Sequence, residues 1–218
     1  MNKLKKILYY LLIYPYRLLV RKERVVQIDD ILVHVPPSVF HPTIFFSTQF
    51  LKKHLENEDL VHKKVLDLGA GTGFLSIFMA KKGAEVWASD INEVACQTVE
   101  KNAIQNKVLV QVIHSDLFNN FPQIQFDLIV INPPYYAKNP KNDTEKAFFC
   151  GENFEYFQQL FEQLPHFLTT NGKAIMVLSE DCAIEKISQL AVSQGFIWNK
   201  IKENRIKTEM NYLFEIRN

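Results

Sequence analysis

From residue 63 onward, short apolar runs alternate with longer segments of helical spacing, and this alternation constrains the fold most strongly. The run FDLIVI at 126–131 is apolar almost throughout, which is typical of a strand buried on both faces of a sheet. Strands that alternate with helices indicate crossover connections and a mainly parallel sheet. We predict strands at 65–68, 84–89, 108–113, 126–131 and 173–178, and helices at 74–82, 92–105, 154–168 and 182–193.

The two ends of the chain depart from this pattern. The last two predicted strands, 197–202 and 212–216, are too close in sequence for a parallel crossover, so we expect an antiparallel hairpin. Residues 24–35 predict two short strands, and Ser47 and Thr48 are expected to cap a helix that reaches residue 55. The prediction is one doubly wound α/β domain at 56–218 with a seven-stranded sheet, preceded by an N-terminal extension at 1–55.

The amino-terminal segment is basic and apolar. Residues 1–24 contain seven Lys or Arg and one Glu, a net charge of +6 against −5 for the remainder. The apolar run at 7–20 contains Pro15 and Arg17, is too short to span a bilayer and is followed by no small-residue cleavage site. Two interpretations stay open: a helix docked on the domain, or a helix that contacts a membrane surface or a nucleic-acid backbone.

Composition excludes several classes of protein. With 218 residues, 47% hydrophobic and 22% charged, and a net charge of +1, the chain is neither a disordered tail, a collagen-like repeat nor a polytopic membrane protein. The three cysteines, Cys96, Cys150 and Cys182, are far apart and lack metal-ligand spacing. We therefore expect no metal site and a reducing, cytoplasmic location.

Glycine is scarce but concentrated at one turn. The chain has seven glycines, where average usage would give about 15. Three of them, Gly69, Gly71 and Gly73, directly follow the strand at 65–68. Glycines there permit positive φ and a close approach of ligand to backbone, at the strand ends where open parallel sheets bind ligands. Dinucleotide-binding folds share such a turn, so the turn alone does not identify the ligand.

Three aspartates lie at three successive predicted strand ends. Asp67 lies in the first strand, and Asp90 and Asp116 follow the second and third. A carboxylate in the position of Asp90 can accept hydrogen bonds from two ribose hydroxyls. Asp116 is followed by Leu117 and Phe118, which suits an adenine with its amino group on the carboxylate and its ring on apolar walls. Together the three aspartates predict a nucleoside site.

The most informative segment is Asn132-Pro133-Pro134-Tyr135, directly after the apolar strand at 126–131. Proline fixes its own φ and pushes the preceding residue toward extended conformations, so this segment is stiff. The Asn132 amide and the Pro133 carbonyl can then accept both hydrogens of a planar NH2 group, and Tyr135 can stack on its plane. A planar amino nitrogen is a poor nucleophile because its lone pair is delocalised, and positioning and electrostatic stabilisation are the help it needs.

The series DLGAGTG at 67–73, Asp90, Asp116 and NPPY at 132–135 resembles the class I S-adenosylmethionine-dependent methyltransferases. The resemblance implies a Rossmann-like domain that binds S-adenosyl-L-methionine. It assigns the methionine part of the cofactor to the glycine turn and Asp67, the ribose to Asp90, and the adenine to Asp116 and Leu117.

The NPPY segment resembles that of methyltransferases acting on glutamine side chains or on adenine and guanine amino groups, which implies Asn132, Pro133 and Tyr135 as catalytic residues. More narrowly, the chain resembles the release-factor glutamine methyltransferase (HemK) type through VFHP at 39–42, FCGEN at 149–153 and ExxYLF at 209–214. We expect no separate N-terminal helical domain of the kind those enzymes have, and TIFFST at 43–48 stands where an acidic pair is expected.

The acceptor is left open between a protein and a nucleic acid. Protein glutamine N5 is narrowly favoured, and the alternative is adenine N6 or guanine N2, for which Lys138, Lys141, Lys146 and the basic stretch 200–207 would offer phosphate contacts. Two other classes are weaker. The G-x-G-x-G spacing argues against a nicotinamide-dependent oxidoreductase, and the intact NPPY segment argues against a binding protein without catalysis.

Overall fold

The structure, a computed structural model, describes residues 23–37, 39, 46–141, 143–206 and 209–218. The predicted basic helix at 7–20 and the FHP segment at 40–42 lie outside these residues. The strands are β1 (Arg24–Ile28), β2 (Ile31–Val35), β3 (Lys64–Leu68), β4 (Glu85–Asp90), β5 (Val110–His114), β6 (Phe126–Ile131), β7 (Leu168–Ser179), β8 (Ile197–Ile206) and β9 (Glu209–Arg217). The helices are α1 (Phe46–Leu55), α2 (Phe74–Lys81), α3 (Glu93–Gln105), α4 (Asp143–Lys146), α5 (Glu155–Gln163) and α6 (Ile184–Ser193), with a 3₁₀ turn at Leu164–His166.

Within the described residues, seven strands form one sheet in the order β5-β4-β3-β6-β7-β9-β8. The first five strands of this order are parallel, and β9 is antiparallel to both β7 and β8. The doubly wound α/β fold with a C-terminal antiparallel hairpin is therefore confirmed. The chain leaves β3 toward β4 and β5 and returns on the other side of β3 with β6, so the strand order reverses at β3.

The central strands are buried on both faces of the sheet. On β6, Leu128 and Val130 belong to the core formed with α1, α2 and β2, whereas Ile129 and Ile131 belong to the core formed with α5 and α6. Burial of a side chain of this size contributes about 1.5–3 kcal/mol. This two-sided burial is the physical reason for the apolar run, and it holds the end of β6 in register beside β3, where Leu66 faces Ile129.

Two asparagines, Asn102 on α3 and Asn106 directly after its last residue, attach the β1–β2 hairpin to the sheet domain. Asn102 Oδ1 accepts a hydrogen bond from the amide of His34 at 2.8 Å, and its Nδ2 donates to the carbonyls of His34 and Thr72, both at 2.9 Å. Asn106 repeats the pattern one turn later with the amide and carbonyl of Leu32, at 3.0 and 2.7 Å. The two side-chain amides, four residues apart, point the same way and form hydrogen bonds with backbone groups of β2.

Three helix boundaries differ from the prediction by more than one residue. The first helix begins at Phe46, so the prediction of Ser47 and Thr48 as caps was wrong: both lie in the first turn of α1 and are buried. The helix predicted at 154–168 ends at Gln163 because Pro165 cannot donate to the helical ladder. The helix predicted from residue 182 begins at Ile184. No helix of the described ranges is long and apolar enough to cross a membrane.

Three strands, β7, β8 and β9, are longer than predicted by three residues or more. β7 begins at Leu168 rather than residue 173, and its register against β6 shifts between Phe126 and Leu128. The irregular pairing brings two backbones close at Gly172, where an added Cβ would lie 2.7 Å from the carbonyl oxygen of Phe126. The terminal hairpin extends from 197 to 206 and from 209 to 217, because an exposed edge strand accepts the polar residues that follow Lys202.

Candidate functional site

The carboxyl ends of β3, β4 and β6 meet at a cavity of about 420 Å³, at the position where the strand order reverses. Parallel strands bring their carboxyl ends to the same edge of a sheet, and the predicted residues are brought together there. Nine of the ten predicted site residues line the cavity: Asp67, Gly69, Gly71, Asp90, Asp116, Leu117, Asn132, Pro133 and Tyr135.

The turn after β3 is left-handed at each of its three glycines. The φ angles of Gly69, Gly71 and Gly73 are 78°, 56° and 73°. The amides of Gly69 and Ala70 both donate to the carbonyl of Ser89 at 2.9 Å, which fixes the turn to β4. An added Cβ on Gly69 would meet no atom within 4 Å, so this position opens onto the cavity and needs glycine for its conformation.

Gly73 is the one predicted site residue that does not line the cavity. It precedes α2, and an added Cβ would lie 2.9 Å from a methyl carbon of Val99 on α3. The absent side chain therefore lets α2 and α3 approach each other. Gly73 shapes the turn through helix packing.

Asp67 is a buried acid at the floor of the cavity. The residue is 4% exposed, and its Oδ2 accepts a hydrogen bond from Ser76 Oγ at 2.5 Å. Burial raises the pKa of the Asp67 carboxyl to about 6, although the Ser76 hydrogen bonds oppose it, and the charge of Asp90 adds to the increase. A buried carboxylate of this kind is stabilised by a cationic partner.

Asp90 is held by the backbone at both oxygens. Its Oδ2 accepts from the Gly71 amide and its Oδ1 from the Asn92 amide, each at 2.9 Å. Burial raises the pKa of Asp90, while the backbone amides of Asn92, Gly71 and Ile91 lower it. A carboxylate has about four lone-pair positions, so Asp90 keeps acceptor capacity for a ligand hydroxyl.

The rim beside Asp90 combines Asp116, Leu117 and a tyrosine that sequence reasoning missed. Asp116 is exposed, and Leu117 is 6% exposed with a φ of 48°. A non-glycine residue in this conformation costs about 1–2 kcal/mol, and such strain concentrates at ligand sites. Tyr156 on α5 also lines the cavity. Burial raises the pKa of its hydroxyl, and the nearby charges of Asp116 and Asp90 raise it further. No motif marks Tyr156 in the sequence.

The NPPY segment, at the end of β6, forms another part of the cavity wall. Asn132 directly follows β6, and its Nδ2 donates to Thr48 Oγ1 at 3.5 Å. In the described part of the chain, no side chain or amide donates to Asn132 Oδ1. Pro133 is buried, and the Tyr135 ring lies 4.9 Å from the Tyr136 ring at 58°. Thr48 is a second lining residue that sequence reasoning assigned to another role.

The segment after Tyr135 folds back on itself and completes the cavity. The Tyr136 amide donates to the Phe148 carbonyl and the Cys150 amide to the Tyr136 carbonyl, each at 3.0 Å. Phe149 and Cys150, from the FCGEN stretch, line the cavity. This segment thus contributes part of the cavity wall.

The donor set suits a nucleoside that carries an ammonium group. Asp67 offers a buried carboxylate for the ammonium, Asp90 keeps acceptor capacity for a ligand hydroxyl, and Leu117 offers an apolar wall for a base. Over the described ranges, no group of three or more His, Cys, Asp or Glu is placed to hold a metal ion. The observed residues therefore fit S-adenosylmethionine.

Comparison with known sequences gives one family. The sequence profile of the methyltransferase small domain matches residues 30–205. A putative protein N5-glutamine methyltransferase of Methanocaldococcus jannaschii is 33% identical over 171 residues, 74% of this chain and 82% of that protein. A tRNA1(Val) (adenine(37)-N6)-methyltransferase of Pedobacter heparinus is 33% identical over 119 residues, and the match spans only 52% of this chain and 51% of that protein.

Comparison with solved structures gives the same fold. The Mtq2–Trm112 complex of E. cuniculi, described as methylating the termination factor eRF1, matches with a TM-score of 0.65 and 22% identity over 83% of this chain and 99% of that chain. The 16S rRNA N2 G1207 methyltransferase of T. Thermophilus, in complex with AdoMet and guanosine, matches with a TM-score of 0.65 and 24% identity over 90% and 50%.

Proposed function

The chain belongs to the methyltransferase small domain family and is an S-adenosylmethionine-dependent methyltransferase, and from this premise we propose that it methylates the side-chain amide nitrogen (N5) of a protein glutamine. The family, the Rossmann-like fold and the cofactor inferred from the sequence are confirmed. The observation that carries the proposal is that Asn132, Pro133 and Tyr135 line the same cavity as Asp67 and Asp90.

The cofactor half of the proposal assigns one carboxylate to each polar part of the ligand. Asp67 binds the ammonium, Asp90 the ribose hydroxyls and Asp116 the adenine amino group, with Leu117 against the ring. The buried, otherwise uncompensated carboxylate of Asp67 and the remaining acceptor capacity of Asp90 support these assignments. When bound, S-adenosylmethionine supplies a methyl group that its positive sulfur has already activated.

The acceptor half of the proposal concerns the planar NH2 group. Asn132 Oδ1 and the Pro133 carbonyl accept its two N–H bonds, which favours a more pyramidal nitrogen and aims its lone pair toward the cofactor half. Tyr135 supplies a face on which the planar amide stacks. The nitrogen gains the methyl carbon and releases one proton to water, so this wall needs no general base.

One observation supports a protein glutamine over a nucleic-acid base. The M. jannaschii relative, named a putative N5-glutamine methyltransferase, matches over 82% of its length, whereas the tRNA adenine methyltransferase matches over 51%.

Transfer of labelled methyl groups tests this proposal. The protein is incubated with methyl-labelled S-adenosylmethionine and, separately, with protein and RNA purified from cell extract. We expect label in the protein fraction, released as N5-methylglutamine on enzymatic digestion, and no label with Asn132→Ala. Asn199→Ala, an exposed asparagine on β8, is the matched control and should label normally. Label in methyladenine or methylguanine of the RNA would contradict the glutamine proposal.

A further inference from the structure

Thr48 has a place in the cavity that its local structure does not explain. It lies in the first turn of α1, is 6% exposed and lines the cavity. It is not the cap that the sequence predicted. Its Oγ1 accepts the hydrogen bond from Asn132 Nδ2, across 84 positions of the sequence.

We propose that Thr48 is a positioning residue that holds the Asn132 side chain in place. The inference rests on the proposed function, in which Asn132 Oδ1 accepts a hydrogen bond from the acceptor NH2 group. An Asn132 side chain that rotates freely would carry Oδ1 away from this position, and the acceptor nitrogen would lose one of its two contacts.

The hydroxyl of Thr48 can hold the Asn132 side chain because α1 is firmly packed. Phe50, Leu51 and Leu55 of this helix are buried in the core shared with Val177 and Leu213. The helix therefore holds Oγ1 at a fixed place beside Nδ2. The separation of 3.5 Å is long, and hydrogen bonds within catalytic sites commonly shorten when substrate fills the site.

The size of the effect follows from one hydrogen bond. Without the Thr48 hydroxyl, nothing among the described residues is hydrogen-bonded to Nδ2, and the Asn132 side chain is freer to rotate. A hydrogen bond of ordinary strength corresponds to roughly a three- to tenfold change in rate. Cofactor affinity should not change, because Thr48 lies on the acceptor side.

Two substitutions separate the hydroxyl from the shape of the side chain. Thr48→Val keeps the β-branched shape and removes the hydroxyl, whereas Thr48→Ser keeps the hydroxyl. Thr98→Val is the matched control, since Thr98 is equally buried in a helix and its hydroxyl donates to the Val94 carbonyl at 2.6 Å. Thr48→Ala serves as a second hydroxyl-deleting variant if Thr48→Val does not fold.

The measurements are the initial rate of label transfer to extract protein and the Kd for S-adenosylhomocysteine. We expect Thr48→Val, or Thr48→Ala, to lose roughly three- to tenfold in rate, with the Kd within about twofold of the unsubstituted protein. We expect Thr48→Ser to restore the rate and Thr98→Val to leave it unchanged. A wild-type rate in the hydroxyl-deleting variant, or an equal loss in Thr48→Ser, would overturn the inference. If the unsubstituted protein labels no protein, the proposed function fails instead.

Discussion

Replacing Gly73 by alanine is expected to destabilise the protein through a collision between two helices. The added Cβ would lie 2.9 Å and 3.0 Å from the two methyl carbons of Val99 and 3.2 Å from its Cα. The Cα belongs to the backbone of α3 and cannot rotate away, so α2 and α3 must move apart. The residue would also keep a φ of 73°, which disfavours any side chain.

The magnitude is the sum of these two effects. A left-handed conformation costs an alanine about 1–2 kcal/mol, and overpacking of this kind costs about 1–3 kcal/mol. We therefore expect the free energy of unfolding to fall by about 2–5 kcal/mol. Gly69→Ala is the matched control, because Gly69 has a φ of 78° but no atom within 4 Å of an added Cβ. The control should lose only the conformational part, about 1–2 kcal/mol.

Urea unfolding of the two variants, measured by circular dichroism, gives the comparison. The loss for Gly73→Ala should exceed that for Gly69→Ala by about 1–3 kcal/mol. Binding should show the reverse order, since the methyl of Gly69→Ala points into the cavity and should weaken S-adenosylhomocysteine binding about tenfold or more. Equal stability losses would refute the packing role of Gly73, and unchanged binding by Gly69→Ala would refute the position of the ligand.

Three further predictions concern Asp67, Asn102 and Tyr156. Because the pKa of Asp67 is raised to about 6, protonation should weaken S-adenosylhomocysteine binding by up to about tenfold per pH unit below that value. The unliganded protein should lose stability as pH rises from 3.8 to about 6, since the folded form holds the proton more tightly than the unfolded form. Titration calorimetry measures the pH dependence of binding, and urea unfolding measures that of stability. Neither dependence appearing, or both appearing equally in Asp67→Asn, would contradict this prediction. Asn102→Ala leaves the amide and carbonyl of His34 and the carbonyl of Thr72 without this partner. The free energy of unfolding, measured in urea, should fall by about 2–4 kcal/mol. A fall no larger than that of Asn199→Ala would contradict the prediction. Tyr156→Phe should raise the Kd for S-adenosylhomocysteine roughly three- to tenfold at unchanged stability, and an unchanged Kd would exclude the hydroxyl from the site.

The parts of the molecule that follow a local pattern could be predicted from the sequence. The apolar run of β6 indicates a strand buried on both faces, and the parallel sheet follows from the alternation of strands with helices. Once the strands are parallel, their carboxyl ends must share one edge. For this reason Asp67, Asp90 and Asn132 could be expected to lie close together without knowledge of any contact between them.

The parts that depend on contacts between distant segments could not be predicted. Asn102 and Asn106 are polar residues four positions apart on one helix face, which signals a partner but does not identify β2 as that partner. In the sequence, nothing distinguishes Tyr156 from the other aromatic residues of its amphipathic helix. Gly73 shares its motif with two cavity glycines, and only the position of Val99 separates its role from theirs.

The predicted strand lengths were wrong where a strand is exposed to solvent and therefore lacks an apolar pattern. The end of β8 consists of exposed polar residues, including Glu203, Asn204 and Arg205, because an edge strand needs no second buried face. The beginning of β7 contains Asn171 and Gly172, which usually indicate a turn. There the glycine accommodates a close backbone approach within the strand.

The central claim is that Asn132 holds the acceptor nitrogen while other residues hold the cofactor. Its most direct test is Asn132→Ala, assayed for both label transfer to protein and the Kd for S-adenosylhomocysteine. We expect the rate to fall by about 100-fold or more, because the NH2 group loses one of its two acceptors, while the Kd stays within about twofold. A variant that keeps its turnover, or one that loses cofactor affinity in proportion to its rate, would contradict the claim.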